Sequence, residues 1–293
     1  MITMGRLTLP NPIIASSGAL GFGQAYWWDR PLVWAGLVRP EQLGAYITKT
    51  LTSQPRVGNW RGWNPWQVLW PLEGGWVNAL GLTNPGLEWF IAQQYPYLNG
   101  GRCIVSISDP DPVSLPMMAA SLAPLRIAGI EVNISCPNTP EWKNMQADPE
   151  YLRLILRAIR QESNHPLIVK ISYLELSQRR AVAEALNEAG IDAVDMINTI
   201  PFTRRFPNRR SPLRFGGGVS GALIQEQALE QVRWFHEQTS LPIIGGGGVM
   251  TAADVQRFLE TGAAAVSIGS AHITRPWIST RLAAAWARSR KAA

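Results

Sequence analysis

Eight short apolar runs, most of them followed by a segment with helical periodicity, constrain the fold of this chain more than any other feature. The runs are apolar along their whole length, which is typical of parallel strands buried on both faces. They span Pro12–Ser17, Tyr46–Thr50, Arg102–Ile107, Gly129–Ile134, Pro166–Ile171, Asp192–Asn198, Leu241–Gly246 and Ala264–Gly269. Eight strands that alternate with helices predict an α/β fold, the (β/α)8 TIM barrel.

The helical segments agree with this fold. Thr251 is a suitable N-cap for one of them. No low-complexity linker divides the 293 residues, so residues 1–293 are predicted to form a single barrel domain. A doubly wound sheet, the alternative, requires a topological switch point and usually has fewer strands. The clearest helical patterns cover Asp148–Gln161, Ser177–Ala189, Ala222–Gln238, Thr251–Thr261 and Ala271–Arg288.

Charge and cysteine content argue against several classes of protein. The net charge is +6, but the positive side chains are scattered, apart from two arginine pairs at 204–205 and 209–210, so nucleic-acid binding is not expected. No signal peptide and no bilayer-length apolar run is present, which predicts a cytoplasmic protein without membrane insertion. The two cysteines form no Cys-x-x-Cys pair and the three histidines have no ligand spacing, so no metal site is expected.

Nearly every predicted strand ends in a polar residue or a glycine. In a (β/α)8 barrel the carboxyl ends of the strands carry the active site. A polar or glycine group at almost every strand end therefore predicts that the barrel mouth binds a polar ligand. The groups are Ser16–Gly18, Lys49–Thr50, Ser106, Asn133 with Cys136 and Asn138, Lys170, Asn198–Thr199, Gly245–Gly248 and Gly269–Ser270.

Two glycine loops follow the last two strands, at Gly245–Gly248 and Gly269–Ser270. Glycine lets backbone N–H groups approach a phosphate closely, and these two loops form the common phosphate site of such barrels. The alternative is a tight turn between strand and helix. A third run, Gly216–Gly221, is expected to open another helix and to close over the same ligand.

Two lysines end buried strands, Lys49 and Lys170. An ammonium group at such a position needs anions or carbonyl oxygens around it. A cofactor phosphate, a ring oxygen or a substrate carboxylate would serve, and the alternative is a structural ion pair with a nearby carboxylate.

Four asparagines are candidates for ligand recognition: Asn133, Asn138 and Asn198 near predicted strand ends, and Asn78 in the connection between the second and third predicted strands. An Asn side chain has two donors and two acceptors, so several of them can recognise a ring that carries alternating N–H and C=O groups. Any one of them could instead be a turn residue, Asn138 above all, because it stands between prolines.

Cys136 lies in a loop after the fourth strand, whereas Cys103 lies in an apolar run and is predicted to be buried packing. A thiol has a pKa near ~8.5, close enough to neutrality to accept a proton when a neighbouring charge assists. No His or Asp partner for a nucleophilic triad is evident, so proton abstraction is favoured over acyl transfer.

With these motifs in their order, the chain resembles class 1 of the dihydroorotate dehydrogenase family from about residue 8 to residue 280, and the 1B subgroup most of all. The motifs that carry the resemblance are Asn11–Gly18, Gly21–Gly23, Thr48–Thr50, Asn78–Leu82, Asn133–Asn138, Val169–Lys170, Ile197–Thr199, Ser220–Gly221 and the two glycine loops.

The resemblance implies an enzyme that oxidises dihydroorotate to orotate in pyrimidine biosynthesis. Cys136 would be the base that removes a proton from the substrate ring, while a hydride passes to FMN. The implied FMN contacts are Ser17, Lys49, Thr50, Ser106, Asn133, Lys170, Ile197, Gly221, Gly247, Gly248, Gly269 and Ser270. The implied substrate contacts are Lys49, Asn78, Ala79, Leu80, Gly81, Leu82, Asn133, Asn138, Asn198 and Thr199.

The resemblance also implies partners. Class 1 proteins are generally dimers, so a homodimer is expected. The 1B subgroup pairs with a second, electron-transferring subunit that carries FAD and an iron–sulfur cluster. The electron acceptor itself stays open, because no motif in this chain identifies it.

Departures from the family pattern leave two further functions open. The loop Gly58–Val68 is longer than the family's, with Val68 at the expected Arg position, and Ser106 replaces an Asn. The segment Pro140–Met145 lacks the usual glycine-rich lid pattern. A different ring substrate, or a barrel that acts as a binding or assembly protein, is therefore an alternative. Five tryptophans would form the lid or docking surface, unless they pack against the barrel: Trp60, Trp63, Trp66, Trp70 and Trp76.

Overall fold

The computed structural model describes residues 1–23, 30–98, 100–109, 111, 113–135 and 148–292. Its strands, in chain order, are β1 (Ile2–Met4), β2 (Leu7–Leu9), β3 (Ile13–Ala15), β4 (Ala45–Ile47), β5 (Leu69–Leu72), β6 (Gly75–Asn78), β7 (Cys103–Ile107), β8 (Gly129–Asn133), β9 (Leu167–Lys170), β10 (Ala193–Met196), β11 (Ile200–Pro201), β12 (Gly218–Gly221), β13 (Ile243–Gly246) and β14 (Ala265–Ile268).

Eight of these strands close into a barrel. The order around it is β3, β4, β7, β8, β9, β10, β13 and β14, and β14 pairs with β3 to complete the ring. All of these pairings are parallel. The (β/α)8 prediction is thereby confirmed, and each of the eight predicted strands coincides with a barrel strand to within a few residues.

Helices connect and surround the strands. They are α1 (Arg30–Trp34), α2 (Leu87–Trp89), α3 (Ser114–Leu122), α4 (Pro149–Glu162), α5 (Leu176–Glu188), α6 (Phe202–Arg205), α7 (Gln225–Gln238), α8 (Ala252–Glu260) and α9 (Ile278–Ala292). Short 3-10 turns at Ala222–Ile224 and Ser270–Ile273 precede α7 and α9, which is why these two helices begin later than their periodicity predicted.

Local sequence explains where two of these helices begin and how one of them packs. Thr251 caps α8 as predicted, because its hydroxyl accepts from the backbone of Asp254 while the Asp254 side chain accepts from Thr251. Asp148 caps α4 by a single bond, in which its side chain accepts from the Tyr151 N–H. On α4 the buried residues recur at helical spacing and face the barrel: Leu152, Ile155, Leu156 and Ile159.

The barrel interior changes from apolar to polar along its axis. Side chains two residues apart on a strand share a face, so each strand contributes successive layers to the interior. The lower layer joins Met4, Leu7 and Leu9 of the β1–β2 hairpin, which seals the amino end, in one apolar cluster with Ile14, Ile47, Ile104, Ile168, Ala193, Ile244 and Ala265. Two residues further along the same strands stand Ser16, Lys49, Ser106, Lys170, Asp195, Gly246 and Ser267.

A four-stranded antiparallel sheet, in the order β11, β12, β6, β5, stands at the carboxyl end of the barrel. The hairpin of β5 and β6 lies in the long connection between β4 and α2. The last four residues of the run Gly216–Gly221 form β12, and Gly221 is also the N-cap of the 3-10 turn that leads into α7, so the run precedes a helix as predicted. Its glycines permit close pairing, since a Cβ on Gly221 would lie 2.6 Å from the Cα of Gly75.

Among the described residues, no helix is both long and apolar enough to cross a membrane.

Candidate functional site

Side chains from four barrel strands form one hydrogen-bonded chain at the barrel mouth. The Ser17 and Thr50 hydroxyl oxygens are 3.2 Å apart, and those of Thr50 and Ser106 are 3.0 Å apart. The Asn133 amide donates to the Thr50 oxygen over 3.0 Å. The structure thus brings together four residues that the sequence assigned to a common site. Their parallel strands end at the same edge, which is why distant sequence positions meet here.

Lys170 ends β9 inside a buried ionic cluster. Its ammonium lies 2.6 Å from Asp195 Oδ2 and 4.0 Å from Glu131 Oε2, and it donates to Ser16 Oγ over 3.2 Å. Ser267 donates to the other Asp195 oxygen over 3.1 Å. The structural ion pair, given as the alternative for a lysine at this position, is therefore present at Lys170.

Burial and neighbouring charge act in opposite directions on the pKa values of this cluster. Burial raises the pKa of Glu131 to about 8, against the opposing effect of Lys170. Burial by itself would lower the pKa of Lys170, but the neighbouring acids, the hydrogen-bonded Asp195 above all, outweigh it and raise that pKa. The lysine is consequently a fixed cation.

Lys49, by contrast, has no ion-pair partner within the part of the chain that the structure describes. Burial lowers the pKa of Lys49 to about 8. A cation withdrawn from water without a counter-charge favours an anionic ligand beside it. Of the two predicted lysines, Lys49 therefore fits a ligand contact more directly.

Backbone geometry requires glycine in the first glycine loop but not in the second. Gly247 and Gly248 have φ values of +118° and +81°, and an added Cβ on Gly248 would lie 2.7 Å from the Gly221 carbonyl oxygen, so their backbone alone requires glycine. Gly269 has a φ of −110°, and its added Cβ would meet only Ser16, at 3.6 Å. Open space in front of Gly269 suits a ligand that approaches the backbone.

Backbone donors at these loops have no acceptor among the described residues. The N–H groups of Gly247, Gly248 and Ser270 make no hydrogen bond there. Unpaired N–H groups at the start of helical turns form an anion site. This is the donor set that a phosphate needs.

His272 supports the second loop and was missed from the sequence. Its Nδ1 lies 3.1 Å from the Gly269 carbonyl oxygen and its Nε2 lies 3.1 Å from Ser279 Oγ. Burial lowers the pKa of His272 to about 4, so the ring is neutral near pH ~7. The spacing of His272 behind Gly269 in the same turn is the only signal that could have found it.

Asparagines and a threonine gather around β12 and the end of β8. Asn198 donates to Ser135 Oγ over 2.8 Å, and Ser135 donates in turn to Asn133 Oδ1 over 2.6 Å. The Asn78 amide lies 3.5 Å from the Gly218 carbonyl oxygen, and Thr199 packs against the same glycine. Asn78, Asn133, Asn198 and Thr199 thus surround one region of the mouth.

The segment after Asn78 packs on the loop that departs from the family pattern. The Asn59 amide donates to the Ala79 carbonyl over 2.8 Å, the Asn59 N–H donates to Leu80 O over 3.0 Å, and Gly81 contacts Asn59. Ala79 is fully buried, and Leu82 has a φ of +58°. The Ala79 side chain is therefore packing, and a ligand would meet this segment at Asn78 or beyond Ala79.

Two predicted FMN contacts lie where the barrel meets β12. Ile197 is buried and donates through its N–H to Gly246 O over 3.1 Å, and its side chain faces Gly247. Gly221 ends β12 beside Gly248. Both positions lie next to the first glycine loop.

Cys136 and Asn138 lie outside the described residues, so the proposed base stays a prediction. The described chain ends at Ser135 on that side, directly after β8. Cys103 is buried as predicted, and burial raises the pKa of its thiol to about 12. A thiol in that environment stays protonated and does not act as a base.

The tryptophan-rich loop is largely solvent-facing. Trp63 is fully exposed, and Trp60, Trp66 and Trp70 are between 40% and 50% exposed. Val68, at the expected Arg position, is instead buried, and its backbone bonds to Pro65 and Ala79. The loop is anchored by Val68, while its indoles stay available for contacts.

Comparison with known proteins identifies the family of this chain. A family model described as dihydroorotate dehydrogenase matches residues 2–285. The catalytic subunit of Pelobacter propionicus that is named dihydroorotate dehydrogenase B (NAD(+)) is 33% identical to this chain over 288 residues. The match covers 96% of this chain and 90% of that protein. The corresponding protein of Desulforudis audaxviator is 34% identical over 289 residues, with coverages of 97% and 90%.

A solved structure supports the fold independently. The DHODH of Eimeria tenella in complex with ferulenol superposes with a TM-score of 0.76 at 20% identity, covering 97% of this chain and 82% of that chain. At that identity the likeness concerns the barrel and its connections.

Proposed function

The chain belongs to the dihydroorotate dehydrogenase family of oxidoreductases, and from this we propose that it oxidises dihydroorotate to orotate with FMN as its cofactor. The observation that carries the proposal is the pairing of Lys49, a half-buried cation without a described counter-charge, with N–H groups of the glycine loops that have no acceptor among the described residues. Together they form a mouth that binds anionic groups at two places.

The donors of the mouth fit FMN. Its phosphate would be held by the backbone of Gly247, Gly248, Gly269 and Ser270. The N–H groups of Gly247, Gly248 and Ser270 have no acceptor in the described part of the chain, and the space before Gly269 is open. Its ring would contact the hydroxyl and amide chain, with Lys170 and Ile197 beside it. These ring contacts come from Ser17, Lys49, Thr50, Ser106, Asn133 and Gly221. When bound, FMN supplies a two-electron acceptor for the hydride that leaves the substrate.

The substrate would lie on the other side of the same mouth. Dihydroorotate carries a carboxylate and a ring of alternating N–H and C=O groups, which match an ammonium and several amides. Lys49 would bind the carboxylate. Asn78, Asn133, Asn138, Asn198 and Thr199 would orient the ring, with Ala79 to Leu82 forming its edge. Cys136 would accept the ring proton.

The proposal is tested by the absorbance of the purified protein before and after anaerobic addition of dihydroorotate. We expect a bound flavin spectrum that bleaches on addition. Cys136→Ser should retain the flavin and bleach at least about a hundredfold more slowly, because general-base catalysis contributes roughly 10²–10⁴-fold. Cys103→Ser is the matched control and should bleach at the normal rate.

Two outcomes would redirect the proposal. A bound flavin that dihydroorotate does not bleach would contradict the substrate and favour a different ring substrate, which a screen by the same bleaching assay identifies. A purified protein without flavin, which also fails to bind added FMN, would contradict the cofactor.

We also propose two protein partners. Relatives of this chain carry the name catalytic subunit of an NAD(+) enzyme, and this name supports the proposal of a second, electron-transferring subunit. A second copy of this chain is the other expected partner. Light scattering of the pure protein tests the homodimer, and NAD(+) reduction by the chain alone, without any copurified subunit, would contradict the need for an electron-transfer partner.

A further inference from the structure

Two carboxyl groups share one ammonium inside the barrel. The side chains of Glu131 and Asp195 are wholly inaccessible to solvent, and that of Lys170 is 5% exposed. With all three groups ionised, the cluster would carry a net negative charge on side chains that have almost no contact with solvent. Isolated buried charge is costly, and proteins usually avoid it by neutralising one group.

The distances around Lys170 are unequal. Its ammonium lies 2.6 Å from Asp195 but 4.0 Å from Glu131. Two ionised carboxylates would attract the ammonium alike, and it would settle between them. The asymmetry indicates that Asp195 carries the negative charge and that Glu131 does not.

The hydrogen bonds of Glu131 and Asp195 support the same assignment of charge. Both Asp195 oxygens have donors, Lys170 and Ser267. Glu131 Oε1 accepts from Ser106 over 2.7 Å, whereas Oε2 has no partner among the described residues. A fully buried anionic oxygen without a donor is unfavourable. A protonated Oε2, by contrast, is an uncharged donor, and the carboxylate of Asp195, which binds the same ammonium, is the neighbouring acceptor for its proton.

We propose that Glu131 and Asp195 share one proton, carried on Glu131, so that Asp195 alone balances the charge of Lys170. Glu131 is then a positioning residue: it holds Asp195, and through it the ammonium, without adding charge. The cluster is neutral as a whole. Its place beneath the flavin ring rests on the proposed function, whereas the shared proton does not.

Infrared spectroscopy of the flavin-free chain tests the shared proton. Near pH ~6.5 ordinary carboxyl groups are ionised, so a protonated carboxyl band has to come from a perturbed acid. We expect such a band in the wild-type chain, and we expect it to move when glutamate side chains carry 13C. The band should be absent from Glu131→Gln. It should also be absent from Asp195→Asn, because Glu131 would then replace Asp195 as the counter-ion of Lys170 and lose its proton.

Asp192→Asn is the matched control. Asp192 lies three residues before Asp195 at the other end of β10 and forms its own ion pair with Arg160, at 2.6 Å. This variant should retain the band. Absence of the band from the wild-type chain, or a band unmoved by labelled glutamate, would overturn the proposal, and neither result depends on how well a variant folds.

The midpoint potential of bound flavin tests the charge assignment. If Glu131 is neutral, Glu131→Gln leaves the potential unchanged, whereas an ionised Glu131 would, on removal, raise it. Lys49→Gln is the reference for sensitivity and should lower the potential, because it removes a cation without a described counter-charge. A raised potential in Glu131→Gln would overturn the neutral assignment of Glu131, whereas an unchanged potential in Lys49→Gln would contradict the proposed place of the flavin and leave the infrared result standing.

Discussion

Lys49 is the residue whose surroundings most directly favour an anionic substrate. It has no described counter-charge, and burial lowers its pKa to about 8. The ammonium is present below that pKa and is lost as the pH rises through it. Binding of a carboxylate by Lys49 therefore weakens above about pH 8, even though the substrate charge does not change there.

This predicts a KM for dihydroorotate that rises as the pH increases through about 8. Lys49→Gln should raise KM about 10- to 100-fold at neutral pH, as expected for the loss of a charge-assisted hydrogen bond of roughly 1.5–3 kcal/mol. The variant should also lose the pH dependence. Steady-state kinetics between pH ~6 and ~9 measure both effects, and an unchanged KM in Lys49→Gln would contradict the role of this lysine.

Alanine substitutions at Gly269 and Gly248 should have different effects on FMN binding and on stability. An added Cβ would meet only Ser16, at 3.6 Å, so Gly269→Ala should weaken FMN binding more than it destabilises the flavin-free fold. Gly248→Ala should instead destabilise that fold, because φ is +81° and a carbonyl oxygen lies 2.7 Å from the added Cβ. Flavin titration and thermal unfolding of both variants separate the two effects. Equal FMN affinity in Gly269→Ala and wild type would count against a ligand at this loop.

At the level of elements, the amphipathic helix α4 contributes to stability through the face that packs on the barrel. Leu156 is fully buried, whereas Leu154 on the same helix is 54% exposed. Leu156→Ala should lower the free energy of unfolding by about 2–5 kcal/mol. Leu154→Ala should change it by less than about 0.5 kcal/mol. Denaturant unfolding monitored by circular dichroism measures both, and similar values for the two variants would contradict this packing.

The barrel strands were predictable because each is a local apolar run. The antiparallel sheet was not, because β6 pairs with β12, some 140 residues away (Val77 with Val219), and neither strand has a local pattern that identifies it. Strand formation depends on such distant partners more than on intrinsic preference.

Some residues of the candidate site could be predicted from the sequence, and others could not. Residues at strand ends, such as Lys49, Ser106 and Asn133, could be predicted from barrel geometry. Glu131 and Asp195 were missed because they lie inside strands, yet each is a lone charge within an apolar run, and that was the available signal. Their shared proton depends on distances that no sequence pattern contains.

For the molecule as a whole, charge is distributed unevenly around the mouth. The segment after β11 contains Arg204, Arg205, Arg209, Arg210 and Arg214 and no acidic residue up to β12. Arg209 and Arg210 are exposed to solvent. A basic rim raises the local concentration of an anionic substrate, and salt screens this effect.

We therefore predict that kcat/KM for dihydroorotate falls with ionic strength. Arg209→Gln combined with Arg210→Gln should lower it by about two- to fivefold at low salt. The combination of Arg288→Gln and Arg290→Gln, exposed near the end of α9, makes the same change in net charge away from the rim and should have little effect. Stopped-flow flavin bleaching measures the rates, and equal losses in the two double variants would contradict steering by the rim.

Among the residues that the structure describes, the apolar floor formed by the β1–β2 hairpin closes the amino end of the barrel. Water then reaches the polar layer from the mouth, so whatever covers the mouth also controls isotope exchange inside. A labile hydrogen on the Glu131–Asp195 pair should be replaced by deuterium quickly in the flavin-free chain and slowly once a ring covers the opening. Because the hairpin closes the amino end of the barrel, the rate of hydrogen exchange in the interior depends on whether the mouth is covered.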